Sequence, residues 1–391
     1  MNPVSRLFSE GFRIFFLVAA LYGVFTGLVW CLFLAGIGNM PAHSVAPTYW
    51  HAHEMIFGYA IAAIGGFFLT AVPNWTNTPG ARQGFIATAA GLWLAGRFVV
   101  WYAGLLPAGI VAVVDLAFIP ILAAKILTQL LKRPKPQNMM FLAFLVLLWS
   151  ANLAVHLEWM GLTSGTEGIG LRAGLIILCS LISVLGGRVT PAFTRNAMKR
   201  AGVPEARWPK SAKNLERAAV VLALGMPVLV LAHAGNRLTG SAAILLGAVQ
   251  ILRLLRWGGL WCLTQPILIA LHLGLAMLGV GMIAWGLAGF GLGDEIAALH
   301  LLGIGAVGGM TIAVMSRAVL GHSGRPLVAP LPVAAGYGLI ALAAVLRWSG
   351  AGMADLYLPV MLSTGALWIA AFALFILGLW PAITGPRVGQ G

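Results

Sequence analysis

The chain has 391 residues, of which 60% are hydrophobic and only 9% are charged. Soluble proteins carry about 25% charged residues, so this composition excludes soluble enzymes, disordered proteins and secreted disulfide-rich scaffolds. A membrane helix needs about 20 residues, and about 30 with its connection, so the length allows roughly a dozen spans. The sequence therefore predicts an all-α polytopic integral membrane protein.

Twelve apolar runs of spanning length follow one another along the chain. The eighth is the weakest because Arg253 and Arg256 interrupt its end, so a count of eleven remains open. We expect the chain 1–391 to form a single membrane domain. In chain order the predicted spans are 14–37, 51–72, 84–105, 108–130, 139–160, 171–187, 217–234, 241–260, 265–290, 296–317, 331–348 and 356–380.

The net charge of +14 arises largely between the predicted spans. Lys and Arg collect in the cytoplasmic loops of membrane proteins, so the charge does not indicate a nucleic-acid partner. With the N-terminus inside, all but four of the 24 basic residues fall on the cytoplasmic side; Arg97 lies mid-span, and Arg172, Arg237 and Arg347 lie opposite. The longest connection, 188–216, is predicted to be a basic cytoplasmic loop that contacts anionic lipid head groups.

Cysteine usage gives no sign of a disulfide or zinc framework. Cys31, Cys179 and Cys262 all lie in apolar stretches, and none belongs to a CxxC pair. They are interpreted as residues that pack in the core.

Four histidines are predicted to lie at one depth near the outer face. His51 and His53 fall in the first turn of the second span with Glu54, His156 lies near the end of the fifth span, and His300 lies near the start of the tenth. Polar side chains are costly in lipid and often functional there. Imidazole suits haem iron, copper and zinc, whereas Mg²⁺ and Ca²⁺ prefer oxygen. The pattern favours a redox metal or haem site in the outer half of the membrane.

Helix geometry limits how this outer set can bind a metal. At about 100° per residue, His51 and His53 point about 200° apart, so a regular helix assigns them to two different sites. Glu54 follows His51 by three residues and shares its face. It is expected to ligate a metal in the His51 site or to orient that imidazole.

Two further groups of polar residues interrupt the apolar runs. His272 and His322 lie toward the cytoplasmic side and form a looser inner pair. Arg97 and Asp115 lie on consecutive antiparallel spans, about nine residues either side of a turn, and hence at similar depth. They form either an ion pair that fixes helix register or a site in which Arg97 binds a haem propionate and Asp115 orients it.

Five stretches of the sequence resemble one known family. They are WHAHEM (50–55), GGFFLTAVPNWT (65–76), GGRVTPAFT (186–194), the glycine-rich run 300–310, and MSRAVLGHSGR (315–325). In this order and with these motifs the chain resembles the NnrS family of membrane haem- and copper-containing proteins linked to nitric oxide metabolism.

The resemblance implies a twelve-span fold, haem and copper, and relief of nitrosative stress under denitrifying conditions in a bacterial inner membrane. Nitric oxide is then the small-molecule ligand. Reductase-like oxidoreductase activity remains open, and no electron donor is evident. Two other hypotheses are a secondary transporter of a metal or small ligand and a sensor or assembly factor for a respiratory complex. The metal-site candidates are His51, His53, His156, His272, His300 and His322, with His53, His300, His272 and His322 also the candidates for haem.

The charge distribution predicts that the N-terminus, the 188–216 loop and the C-terminus face the cytoplasm. Reporter proteins fused after Arg200 and after Gly391 test this orientation. We expect a reporter that is active only in the cytoplasm to work at both positions. Activity of a periplasm-only reporter at either position would contradict the topology.

Overall fold

A computed structural model describes residues 3–37 and 45–389, so His43 lies outside the described residues. Within those ranges the chain is helical and has no strand. Twelve helices are long and apolar enough to cross a membrane, which confirms the predicted number and includes the eighth. The spans are Gly11–Leu34, Pro47–Thr76, Gln83–Trp101, Ala108–Leu130, Pro136–Trp159, Thr166–Arg200, Lys213–Leu231, Asn236–Leu254, Pro266–Ala288, Glu295–His322, Leu331–Gly352 and Ala354–Thr384.

Proline and glycine mark several of the span boundaries. Proline occupies the start of the second, fifth and ninth spans, at Pro47, Pro136 and Pro266. There its missing N–H costs nothing, because the first amides of a helix have no intrahelical partner. After the first and fifth spans the chain reverses through Gly36 and Gly161, whose φ angles are 69° and 72°. A left-handed residue at this position ends a helix, and glycine adopts it without steric cost.

The sixth span is longer than the sequence predicted. Its helix, Thr166–Arg200, continues through Pro191 and includes the first part of the segment predicted as a loop, 188–216. The non-helical connection begins only after Arg200 and contains one short 3₁₀ turn, Glu205–Arg207. Hydropathy marks where the apolar run ends, but a helix can continue past that point with charged residues on it. The loop prediction was therefore wrong in its first part.

Cα distances group the chain into two compact units. The first unit consists of Met1–Gly174, Ala318–Pro326 and Ile376–Gly391. The second consists of Leu175–Arg317 and Leu327–Phe375. The first unit thus contains the first five spans, and the second unit contains the seventh to ninth spans and most of the tenth.

Two spans change from α-helix to π-helix immediately after a histidine. In the second span the α-helix ends at His53 and π-helix runs over Glu54–Ala60. In the tenth span the α-helix ends at His300 and π-helix runs over Leu301–Gly308. π-Helical turns are rare and frequently occur at functional sites, so these two histidines stand out in backbone setting from the other histidines that the structure describes.

Arg253 is one of the two arginines that made the eighth span the weakest prediction. Inside the second unit it is paired with a carboxylate. Arg253 is buried, and its NH2 group donates to Glu216 Oε2 at 2.7 Å while NH1 donates to the Ser183 carbonyl at 3.1 Å. Its guanidinium lies against Gly187, where a Cβ atom would overlap it. A buried arginine is tolerated here because the chain supplies a carboxylate, a carbonyl and the space that glycine leaves.

A second buried arginine, Arg13 in the first span, contacts the end of the twelfth span. Arg13 donates from NH1 to the carbonyls of Ile383 at 2.6 Å and Gly385 at 2.9 Å. These carbonyls belong to the C-terminal turn of a helix and the residues after it, which lack intrahelical donors and carry partial negative charge. Arg13 therefore holds the first span to the end of the twelfth.

Replacing Arg13 with Met keeps the side-chain length but leaves those buried carbonyls without a donor. We expect the free energy of unfolding to fall by about 2 kcal/mol or more, because each buried acceptor left unsatisfied costs about 1–3 kcal/mol. Thermal unfolding of the purified protein in detergent measures this. Arg133→Met, at an exposed arginine, is the control and should unfold as the wild type does. Equal melting of both variants would contradict the role of Arg13.

Candidate metal centre

The first unit encloses a group of polar side chains from five spans, which we call the buried cluster. Each is fully or almost fully shielded from solvent except Tyr22, which is partly buried. The first span supplies one residue, the second two, the third and fourth one each, and the fifth two. The members are Tyr22, His53, Glu54, Arg97, Asp115, Asn152 and His156.

Arg97 links the two carboxylates of the buried cluster. Its NH1 group donates to Glu54 Oε1 at 2.7 Å, and its NH2 group donates to Asp115 Oδ1. The Tyr22 hydroxyl donates to the other oxygen of Glu54. The predicted pairing of Arg97 with Asp115 is thus present. Both terminal nitrogens of Arg97 are occupied by carboxylates of this chain, so we assign it to the ion-pair network and not to a haem propionate.

The ring nitrogens of His53 both face acceptors. Nδ1 lies 2.8 Å from Glu54 Oε1, and Nε2 lies 2.9 Å from Asn152 Oδ1 and 3.4 Å from Asp115 Oδ2. The Asn152 amide nitrogen donates to Asp115 Oδ2 at 2.8 Å, which fixes the orientation of the amide and turns its oxygen to His53. With acceptors on both sides, this imidazole carries a proton on each nitrogen.

The charges of the buried cluster then sum to zero. Glu54 and Asp115 contribute two negative charges, and Arg97 and the doubly protonated His53 contribute two positive charges. Isolated charges are very costly in an apolar interior, whereas paired and hydrogen-bonded ones are tolerated. One of the two positive charges is a proton on an imidazole, and a metal cation can replace it.

His156 supplies the second imidazole. Its Nε2 atom lies 2.8 Å from Asp115 Oδ2 and donates to it, while Nδ1 is buried and has no hydrogen-bond partner among the described residues. The Trp159 ring packs against both imidazoles, at 4.9 Å from His53 and 5.0 Å from His156 between ring centroids. One ligand atom each from His53, Asp115 and His156 lie within 4.8 Å of one another. This separation suits three ligands of one metal ion.

The second span separates His51 from His53, as the helical angle predicted, but it places Glu54 differently. The ring of His51 stacks on Trp30 with centroids 4.4 Å apart. Glu54 turns away from that ring, towards His53 and Arg97. The prediction that Glu54 belongs to the His51 site was wrong. Helical angle alone assigned it, whereas the buried guanidinium decides where a carboxylate lies.

A small cavity adjoins the buried cluster. Its volume is about 10 Å³, room for about one water molecule. The apolar part of its wall consists of Phe57, Ile61, Trp93, Phe118 and Ile119, and Arg97, Asp115 and Asn152 form the polar part. A porphyrin does not fit in this space. The donor set therefore fits a single metal ion but not haem.

The chain matches one known protein family over nearly its whole length. A family model described as NnrS protein matches residues 6–387. The chain belongs to the NnrS family. Membership indicates a multi-pass membrane protein related to nitric oxide, in a family generally associated with metals. No curated protein matches the chain significantly.

The other metal-site candidates, His272, His300 and His322, lie outside the buried cluster. His300 and His272 are in the second unit, and His322 is in the first, with its ring 5.7 Å from the ring of Phe12. His300 donates from Nδ1 to the Ile296 carbonyl at 2.7 Å, which leaves the lone pair of Nε2 available to a ligand. The expected inner pair, His272 and His322, is divided between the two units.

Three residues in or beside the buried cluster were not predicted from the sequence. Asn152 precedes His156 by one helical turn and so lies on the same face, which is a usable signal. Tyr22 is a polar residue in an apolar run and carries little information by itself. Trp159 follows His156 at the end of the span, and nothing in the sequence distinguishes it from an interfacial tryptophan.

Charge balance predicts how the buried cluster responds to loss of Arg97. Arg97→Gln leaves one uncompensated negative charge, which should cost about 3–5 kcal/mol of stability. Adding Glu54→Gln restores neutrality, so the double variant should regain part of that loss. Melting temperatures in detergent measure both, with Arg237→Gln as a control at an exposed arginine. A double variant no more stable than the single one would refute the balance.

Proposed function

We propose that this protein binds copper and haem, binds nitric oxide at the copper, and thereby relieves nitrosative stress. The copper ligands are His53, Asp115 and His156. The observation that carries the proposal is the convergence of these three donors within 4.8 Å, all fully buried, from three different spans. Helix packing alone gives no reason to bring two imidazoles and a carboxylate together in an apolar interior.

The protonation state of the cluster supports a metal of low charge. A metal ion would take the place of the proton on His53 Nε2, and monovalent copper does so without changing the net charge. The unpartnered Nδ1 atom of His156 offers a second lone pair within the same group. Imidazole ligands suit copper, and the hydrogen bond that His53 Nδ1 donates to Glu54 Oε1 holds the ring in place, as partners of metal ligands commonly do.

The cavity beside the cluster suits a small neutral ligand. Five of its lining side chains are apolar, and its volume of about 10 Å³ leaves room for a molecule of two or three atoms. Nitric oxide is neutral and partitions into lipid, so it needs no charged channel to reach this depth. Copper held at the cluster would supply the binding site for it.

Haem requires a different histidine from those of the cluster. His300 fits an axial ligand best because its Nδ1–H group is bonded to a backbone carbonyl and fixes the tautomer with Nε2 bare. We propose His300 as the haem ligand, with His272 and His322 as the other candidates. Loss of the Soret band in His300→Ala, in protein that still inserts, would support this assignment.

One observation favours a second function, proton-coupled transport. The hydrogen-bonded chain from Tyr22 through Glu54 and His53 to Asp115 and His156 crosses four spans, and one imidazole in it carries a second proton that it can release. Such chains of carboxylates and histidines also occur in transporters. A protein that purifies without metal and moves protons across vesicles would favour this function over the first.

The proposed function predicts the copper content of three variants. His53→Ala and His156→Ala should each bind one copper equivalent at least about tenfold more weakly, since loss of a partner behind a ligand already costs about 10–100-fold. His51→Ala is the matched control, two residues from His53 but stacked on Trp30, and should keep its copper. Copper per protein after dialysis against a chelator measures this.

Nitric oxide uptake gives the second measurement on the same proteins. Wild type and His51→Ala should take up nitric oxide in proportion to the copper held at the buried cluster, and His156→Ala should lose uptake in the same proportion as that one copper equivalent. If His53→Ala and His156→Ala keep their full copper content, the buried cluster is not the copper site. If they lose copper but still take up nitric oxide as the wild type does, nitric oxide does not bind at this copper.

A further inference from the structure

The second unit brings a thiol and an imidazole into contact. Cys262 Sγ lies 3.7 Å from His272 Nε2, and the Thr194 hydroxyl lies 3.1 Å from the same nitrogen. All three side chains are buried. Cysteine was expected only to pack in the core, but here Cys262 lies beside His272, one of the metal-site candidates of the sequence.

A tight turn between the eighth and ninth spans puts the thiol there. Gly258 adopts φ of 71° and leads into a 3₁₀ helix, Gly259–Thr264. In this turn Leu260 and Leu263 are 86% and 63% exposed, whereas Cys262 is completely buried. The turn thus points its large apolar side chains outward and its thiol inward.

Two glycines of this turn pack closely against the imidazole and against a thioether. A Cβ added at Gly259 would lie 3.1 Å from His272 Nδ1, and one added at Gly258 would lie 2.9 Å from Met198 Cε. Met198 follows Thr194 by one helical turn, so its thioether lies on the same face of the sixth span. The two glycines therefore keep side chains away from the imidazole and the thioether.

One buried polar atom of this pair has no hydrogen-bond partner among the described residues. It is Nδ1 of His272, whose side chain is almost completely buried. Unsatisfied buried polar groups are rare in folded proteins. An imidazole with an unsatisfied nitrogen beside a thiol supports a group arranged for a ligand and not only for packing.

We propose that Cys262 and His272 bind a monovalent copper ion, with the Met198 thioether as its neighbour. Thiolate and thioether are soft ligands that select monovalent copper, and this ion accepts two or three ligands. Structural zinc takes four ligands, and the described residues here offer only two strong ones. The copper ion replaces the thiol proton, so that a sulfur–copper bond forms, one proton is released, and no electron is transferred.

The proposal is tested on the full-length protein in detergent under anaerobic, reducing conditions. Copper(I) is titrated against bathocuproine disulfonate, a chelator whose copper complex is coloured, and X-ray absorption reports the ligand atoms. Wild type should show copper bound to sulfur. Cys262→Ser should lose the thiolate part of the sulfur signal and bind that copper equivalent at least about tenfold more weakly. Cys179→Ser, at an equally buried cysteine, should behave as the wild type does.

The result is separable from that of the buried cluster. His156→Ala should keep the sulfur-bound copper even where it loses the other equivalent, and Cys262→Ser should keep the equivalent held by His53. His272→Gln serves as a second variant if Cys262→Ser does not fold, and it should weaken the sulfur-bound copper. Absence of sulfur from the wild-type signal, or wild-type affinity in Cys262→Ser, would overturn the proposal. So would loss of the Soret band in His272→Gln, because the imidazole would then bind haem.

Discussion

The pairing of Arg97 with two buried carboxylates constrains the first unit more than any other interaction. A guanidinium holds two carboxylates only if its planar amino groups reach both, here Glu54 on the second span and Asp115 on the fourth. Breaking such a group leaves an unpaired charge in a medium that cannot solvate it. The depth and rotation of these spans are therefore fixed together with the third. His53 and His156 owe their positions to that arrangement.

The helix geometry after His53 contributes to the same arrangement. A regular α-helix would continue the angular progression that starts at His51, but the backbone widens into π-helix at Glu54. The side chains that follow are thereby rotated relative to those before His53. Trp93 stabilises the widened turn by donating from Nε1 to the Gly58 carbonyl at 3.0 Å. Glycine is needed at 58 because a Cβ there would lie 2.6 Å from the Tyr22 ring.

Much of the fold followed from composition, and less of the site did. Twelve apolar runs predicted twelve spans, because hydrocarbon accepts little else. Common depth grouped His51, His53, His156 and His300, and separately paired Arg97 with Asp115, but it did not predict that this pair meets His53 and His156. Helical angle carries no information on the partner that holds a side chain, so Glu54 was assigned to the wrong histidine. Proline and basic residues suggested a loop at 188–216, although both are compatible with a helix that leaves the apolar layer.

Cys262 shows why a contact between two residues cannot be predicted from each residue taken alone. In an apolar run, Cys262 has the same sequence context as Cys179, and both are completely buried. Only the 3₁₀ turn after Gly258 distinguishes them, since it brings one thiol to an imidazole on the following span. A contact between residues on different helices depends on the turn between them. No periodicity within either helix encodes it.

The buried cluster and the Cys262–His272 pair share one electrostatic property. Each holds a proton, on an imidazole or on a thiol, that a monovalent cation can replace with no change in net charge. In an apolar interior, keeping the net charge unchanged matters more than ligand strength, because no water is present there to screen an added charge. Divalent ions bring one positive charge too many to either place. The same argument admits nitric oxide to the cavity beside Arg97 and Asp115 and opposes nitrite, whose negative charge would find no free cation there.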